Sequence, residues 1–126
     1  MANNDTLSNV LSAINNAEQR GQDKVTTQYN SKVIQKVLDL MKEKMYIGDY
    51  EEHDKGLTIH LIGNLNKCNS IKPRFRCSVD DFQKYEQRFL PARDFGVIIL
   101  TTNKGILTHK QAKEHGVGGK LLSYAY

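Results

Sequence analysis

The chain has little of three things. It holds 2 cysteines and 2 prolines in 126 residues, and it has no long apolar run. Two cysteines, Cys68 and Cys77, are too few for the disulfide framework of a small secreted domain. No stretch approaches the ~18 continuous apolar residues of a membrane span. The opening MANNDTLSN lacks the basic-then-apolar layout of a signal peptide and the arginines of a mitochondrial transit peptide. A reducing cytosolic compartment is the expectation.

Chemical motifs are equally sparse. There is no Walker sequence and no dinucleotide fingerprint. His53, His60, His109 and His115 do not pair with cysteine at zinc-ligand spacing, and Cys68 to Cys77 is not a Cys-x-x-Cys hook. A nucleophilic thiol needs a base and an electropositive pocket. Cys77 instead alternates with Phe75 on an inner face, as a small buried hydrophobe does. Carboxylates are scarce in the second half, so no paired-acid arrangement is available. The residues nominate no enzyme, metal, cofactor or small-molecule substrate.

What is present is ordinary globular composition, 39% hydrophobic and 25% charged. A chain of this length is one domain or two small subdomains. The net charge of +4 is uneven. Residues 1–63 carry 7 basic and 9 acidic side chains, net −2, whereas residues 64–126 carry 11 and 5, net +6. The second half is thereby nominated for contact with a polyanion.

Periodicity predicts the elements. Leu7, Val10, Leu11, Ile14 and Ala17 form one helical stripe, with Asp5 as N-cap and Gly21 as the stop. Residues 24–29 read as a short strand. Ser31 caps a second helix whose inner face is Ile34, Val37, Leu38, Met41 and Met45. Lys32 falls in its first turn, where the helix dipole disfavours a cation unless an anion is near. Residues 46–52 and 57–62 read as a hairpin around Asp54-Lys55-Gly56.

After Gly63 comes a polar run, NLNKCNS, and then IKPRFRC. If extended, Lys72, Arg74 and Arg76 share one face of that segment and Ile71, Phe75 and Cys77 the other. Pro73 confines it to an edge or bulge. A basic nucleic-acid stripe and a lysine-defended edge strand both fit this pattern. Ser78 and Asp81 form a capping box before a helix carrying Phe82, Tyr85 and Phe89. FGVIIL at 95–100 reads as a central strand, followed by the polar turn TTNKG. Thr108 and Gln111 form a second capping box, and its short helix stops near Gly116. KLLSYAY reads as a last strand with alternating sides.

The turn makes the chain familiar. INNAEQRG at 14–21, SKVI at 31–34, MYIGDYE at 45–51, LNKCNSIKPRF at 65–75, RFLPARDFGVIILTT at 88–102 and GVGGKLL at 116–122 appear in order. With these motifs the chain resembles, from about Asp5 to Tyr126, the universal small-subunit ribosomal protein family eight, in its archaeal and eukaryotic cytosolic form. The resemblance implies an α+β fold of two subdomains. One is an N-terminal α-β-α-β-β unit over 1–63, and the other a mainly-β, RNA-binding unit with short helices over 64–126. It implies a cytoplasmic structural component of the small subunit with no catalysis and no cofactor. The implied partners are small-subunit ribosomal RNA, at a stem with an irregular internal loop in its central domain, and neighbouring small-subunit proteins. No membrane is involved.

The family's RNA-contacting turn maps to Thr101, Thr102 and Asn103, followed by Lys104 and Gly105, with Asn103 replacing the usual serine. Its Gly-Gly stretch maps to Gly118 and Gly119 beside Lys120, and its secondary site to Ser31 and Lys32. Thr108 joins this contact set, and Lys72, Arg74, Arg76, Arg93, Lys104 and Lys120 are the expected phosphate neutralisers. Met45 stands where glycine is common, so the end of the second helix is expected to differ.

Overall fold

The computed structural model describes residues 6–54, 56–71, 75–91 and 95–126. Asp5, Lys72, Arg74 and Arg93 lie outside the described residues. The first elements are α1 (Thr6–Gln19), β1 (Lys24–Thr27), α2 (Lys32–Glu43), β2 (Tyr50–His53) and β3 (Gly56–His60). Then come β4 (Cys68–Ser70), β5 (Arg76–Cys77), α3 (Phe82–Phe89), β6 (Val97–Thr102), β7 (Gly105–Thr108), α4 (His109–His115) and β8 (Gly119–Ala125). This is the α+β class expected. Contacts divide the chain into two compact units, Met1–Asn69 and Ser70–Tyr126.

In the first unit α1 buries the whole stripe of Leu7, Val10, Leu11, Ile14 and Ala17. Each large member contributes about 1.5–3 kcal/mol by leaving water. Gly21 ends the helix at φ 72, where its own N–H donates to Glu18 O and the Gln22 N–H to Ala17 O. β1 stops at Thr27, short of the expected Tyr29, where the Thr27 hydroxyl accepts from the Tyr29 N–H at 3.2 Å. The sheet is antiparallel in the order β1-β3-β2, so the second arm of the expected hairpin is its centre. Leu57 and Ile59 of β3 are fully buried, and the alternate Thr58 and His60 are not.

Met45 corrects the expected face of α2. Ile34, Val37, Leu38 and Met41 are buried as read, joined by Leu40, but Met45 is 66% exposed. The helix ends at Glu43, and Met45 adopts φ 65, the left-handed conformation that glycine usually supplies. Its N–H donates to Lys42 O and the Tyr46 N–H to Met41 O, closing the helix end, while Asn64 Nδ2 donates to Met45 O. Helical spacing from Met41 points inward only while the helix continues.

The second sheet has the order β4-β8-β6-β7, with β5 also on β8. β6 is central and Val97, Ile98, Ile99 and Leu100 are all buried, as the apolar run required. Two strands went unread. Cys68–Ser70, inside the polar run, is β4, because Cys68 is a buried small hydrophobe whose Sγ meets Leu11 O. Residues 105–108 are β7, paired antiparallel with β6, so the polar turn expected over 101–105 is shorter: Thr101 and Thr102 continue β6 and Gly105 opens β7. Nor does β8 simply alternate. Ile99 faces Ser123 but Leu100 faces Leu121, so Leu122 is an extra, bulged residue and Leu121, Leu122 and Ser123 are all buried.

Both capping boxes are present. Thr108 Oγ1 accepts from the Gln111 N–H at 3.3 Å and Gln111 Oε1 from the Thr108 N–H at 3.1 Å. Asp81 Oδ2 accepts from the Ser78 hydroxyl at 2.9 Å and its N–H at 3.4 Å, opening a 3-10 turn that leads into α3. Gly116 ends α4 at φ 67.

Candidate nucleic-acid interface

The end of β6, the start of β8 and the two residues of β5 meet at one corner of the second sheet. Arg76 is directly opposite Lys120, and Lys120 is directly opposite Thr101. Residues directly opposite in an antiparallel pair project from the same face. Arg76, Lys120 and Thr101 therefore form one row across three strands. The two cations are exposed, and neither has an ion pair among the described residues. Like charges set opposite each other destabilise a sheet unless an anion lies between or above them.

Beside this row lies an open groove of about 680 Å³, lined by residues of three segments: Arg76 to Val79, Thr101 to Asn103, and Val117 to Lys120. Its floor explains the glycine pair. A Cβ on Gly119 would collide with Thr101 O, and one on Gly118 with Cys77 O. Any larger residue would push β8 off its neighbours. The glycines thus have a packing role in the groove as well as exposed backbone.

The hairpin at its rim is held from within. Neither Asn103 nor Lys104 has positive φ, and Gly105 follows at φ 108, the place where a bulged hairpin needs glycine. The Thr102 hydroxyl donates to Gly105 O at 2.8 Å and accepts from the Lys104 N–H at 3.0 Å. Thr102 therefore shapes the turn, whereas Asn103 and Lys104 stand exposed at its tip.

Seven of the sequence-nominated residues thus come together in the groove: Arg76, Thr101, Thr102, Asn103, Gly118, Gly119 and Lys120. Lys104 and Gly105 are on the adjoining tip. Thr108 is fully buried and its hydroxyl is committed to the α4 cap, so it positions α4 and touches nothing outside. Ser31 and Lys32 lie in the other unit, where Ser31 Oγ accepts from the Ile34 N–H at 3.2 Å as the α2 cap and Lys32 is exposed in the first turn.

One functional support was not anticipated. β7 ends at Thr108, so the β6 ladder loses its partner there, and the His109 ring takes over: Nδ1 accepts from the Ile98 N–H at 3.1 Å. The proton then sits on Nε2, which lies 3.3 Å from Glu86 Oε1 but is poorly aligned for a hydrogen bond. Lys113 Nζ donates to the same oxygen at 3.1 Å. His109 is fully buried and Glu86 nearly so. Burial holds the imidazole below its ordinary pKa, outweighing the attraction of Glu86. The cluster fastens α3 and α4 to the strand that carries Thr101 and Thr102. Only the adjacency of His109 to the Thr108 cap hinted at it in sequence.

Both thiols are buried. Burial pushes Cys68 up to about 12 and Cys77 up to about 11. Among the described residues no group of three or more His, Cys, Asp or Glu side chains is placed to hold a metal ion, and no helix is long and apolar enough to cross a membrane.

Fold and site together define a two-unit α+β protein with an exposed basic groove on its second sheet. The family described as Ribosomal protein S8 matches residues 5–126, and the chain belongs to it. It is 47% identical over 126 residues to the small ribosomal subunit protein uS8 of Methanococcoides burtonii, covering 97% of each chain. S8 proteins are structural, non-enzymatic components of the small subunit.

Proposed function

We propose that the chain is a structural constituent of the small ribosomal subunit, at work in the cytoplasm, whose second unit grips a ribosomal RNA stem in the groove described above. The stem carries an irregular internal loop. The carrying observation is the cation row: Arg76 and Lys120 face each other without an acidic partner among the described residues, next to Thr101. Such a row is stabilised by phosphates. Regular A-form RNA offers a shape, and splayed or distorted bases offer hydrogen-bonding edges. Thr101 and Asn103, whose side chains are not spent on the hairpin, read those edges; Arg76, Lys120 and Lys104 neutralise backbone. Thr102, Gly105, Gly118 and Gly119 hold the geometry.

The test separates reading from gripping. Thr101→Ala with Asn103→Ala leaves the Thr102 hydrogen bonds intact. Its affinity for a stem with the irregular loop is expected to fall by about tenfold, as for one or two lost edge contacts, with little change for a regular duplex. Equal losses for both RNAs would remove the turn as the reader.

A further inference from the structure

The second unit carries another surface that the groove does not use. Six aromatic rings form an unbroken file. Phe75 to Tyr85 is 5.9 Å between centroids, Tyr85 to Phe89 6.3 Å, Phe89 to Tyr124 5.5 Å, Tyr124 to Tyr126 6.2 Å and Tyr126 to Phe95 6.4 Å. Tyr85 is buried, Phe95 is 48% exposed, and the remaining four are half-buried. The Arg88 guanidinium lies 4.8 Å from the Phe75 ring centre and 5.4 Å from that of Phe89, and Lys84 Nζ lies 5.5 Å from that of Tyr85.

The file and the cation row are on opposite faces of the sheet. Tyr124 is opposite Ile98, and Lys120 is opposite Thr101. Ile98 and Thr101 are three residues apart on one strand, so they point to opposite sides. The Leu122 bulge produces this change of face along β8. None of the six ring residues lines the groove.

We propose that this face docks a neighbouring protein through an acidic segment bearing an apolar anchor. Three observations fix that chemistry. The exposed side chains of α3 are Gln83, Lys84, Gln87 and Arg88, while its single carboxylate, Glu86, is turned into the core. Neither Lys84 nor Arg88 has an acidic partner among the described residues, so carboxylates from outside complement them. Successive rings from Tyr85 to Tyr126 are inclined by only 10° to 24°, and Arg88 lies over the rings of Phe75 and Phe89. Cations thus already lie over faces of Phe75, Tyr85 and Phe89, and the ring edges are electropositive. Unstacked RNA bases need open faces; carboxylates and aliphatic side chains suit edges. Aromatic residues with arginine are also the composition of protein–protein anchor sites.

The inference rests on the chain being a subunit component, and the test reads that separately. Benzoylphenylalanine replaces Phe95 in the full chain, and small subunits containing it are purified by sedimentation and irradiated. Sedimentation with the subunit reports membership. The docking proposal expects a cross-link to a protein segment rich in Asp and Glu. Arg88→Glu with Lys84→Glu should lower its yield by about tenfold, and Arg88→Lys should keep it. A cross-link to RNA, a cross-link to a segment without carboxylates, or none in subunits that contain the protein overturns the proposal. A second readout needs no substitution at the file. Oxidative labelling of Phe95 and Tyr126 in wild-type subunits should fall well below that in the free protein, and equal labelling overturns the proposal as well.

Discussion

The two units put similar hairpins to different ends. The β2–β3 hairpin carries Glu51, Glu52 and Asp54, all exposed, and its unit holds 8 basic and 9 acidic residues, net −1. The β6–β7 hairpin carries Thr101, Asn103 and Lys104, and its unit holds 10 and 5, net +5. Both rest on a buried central strand. In the first unit, the polar groups at the helix ends are consumed internally: Ser31 caps α2, and Asn64 holds the turn at Met45. The second unit also consumes polar groups, at Thr102, Thr108 and His109, but only to fix a corner where Arg76 and Lys120 have no acidic partner among the described residues. A backbone scaffold is common to both; unspent charge and hydrogen-bonding capacity are what make one of them a binding surface.

The largest expected effect breaks that contrast directly. Arg76→Glu with Lys120→Glu should weaken binding to the stem on the order of a hundredfold at physiological salt, whereas Lys32→Glu in the first unit should change it by less than about threefold. Fluorescence anisotropy titrations with labelled stem RNA measure both. Comparable losses would mean that the units share the work.

His109→Ala comes next. It orphans the Ile98 N–H and leaves a cavity beside a buried carboxylate, so it should cost about 2–3 kcal/mol, read from the urea midpoint. The pH dependence has a definite sign. Burial depresses His109 below its ordinary 6.5, so the unfolded chain takes up that proton more readily than the folded one. Stability from this site is full above pH 6.5 and is lost as pH falls toward the folded value. Urea midpoints from pH 7.5 to 5 should decline, and the part due to this residue should vanish in His109→Gln. The smallest effect is in the first unit. Met45→Gly should stabilise by about 0.5–1 kcal/mol, relief of left-handed strain less the entropy that glycine adds to the unfolded chain. No gain in thermal midpoint would show that the Asn64 contact has already absorbed the strain.

What was legible in the sequence was local. The α1 stripe, the two capping boxes and the Gly21 and Gly116 stops each need only residues within one or two turns, and all are present. β4 and β7 were missed because three- and four-residue strands owe their existence to partners elsewhere in the chain. Met45 was misplaced because periodicity cannot say where a helix stops when the left-handed residue is not glycine. Seven residues of the groove were legible, Arg76 from strand alternation, Thr101 to Asn103 from the polar turn and Gly118 to Lys120 from the family resemblance, whereas Cys77, Ser78, Val79 and Val117 were not nominated. Ser31 and Lys32, in the other unit, and the fully buried Thr108 lie apart from the groove, and the capping-box pattern at Thr108 already said that its hydroxyl is used internally. The His109–Glu86 contact joins residues 23 apart in sequence and left no periodic trace.

Hydrogen exchange of the whole chain, with and without the stem RNA, tests the central claim most directly. Protection is expected at residues 76–78, 101–105 and 117–120, with none added at 31–36 in the first unit. Protection centred on 31–36, with the second-sheet corner unchanged, would contradict the account.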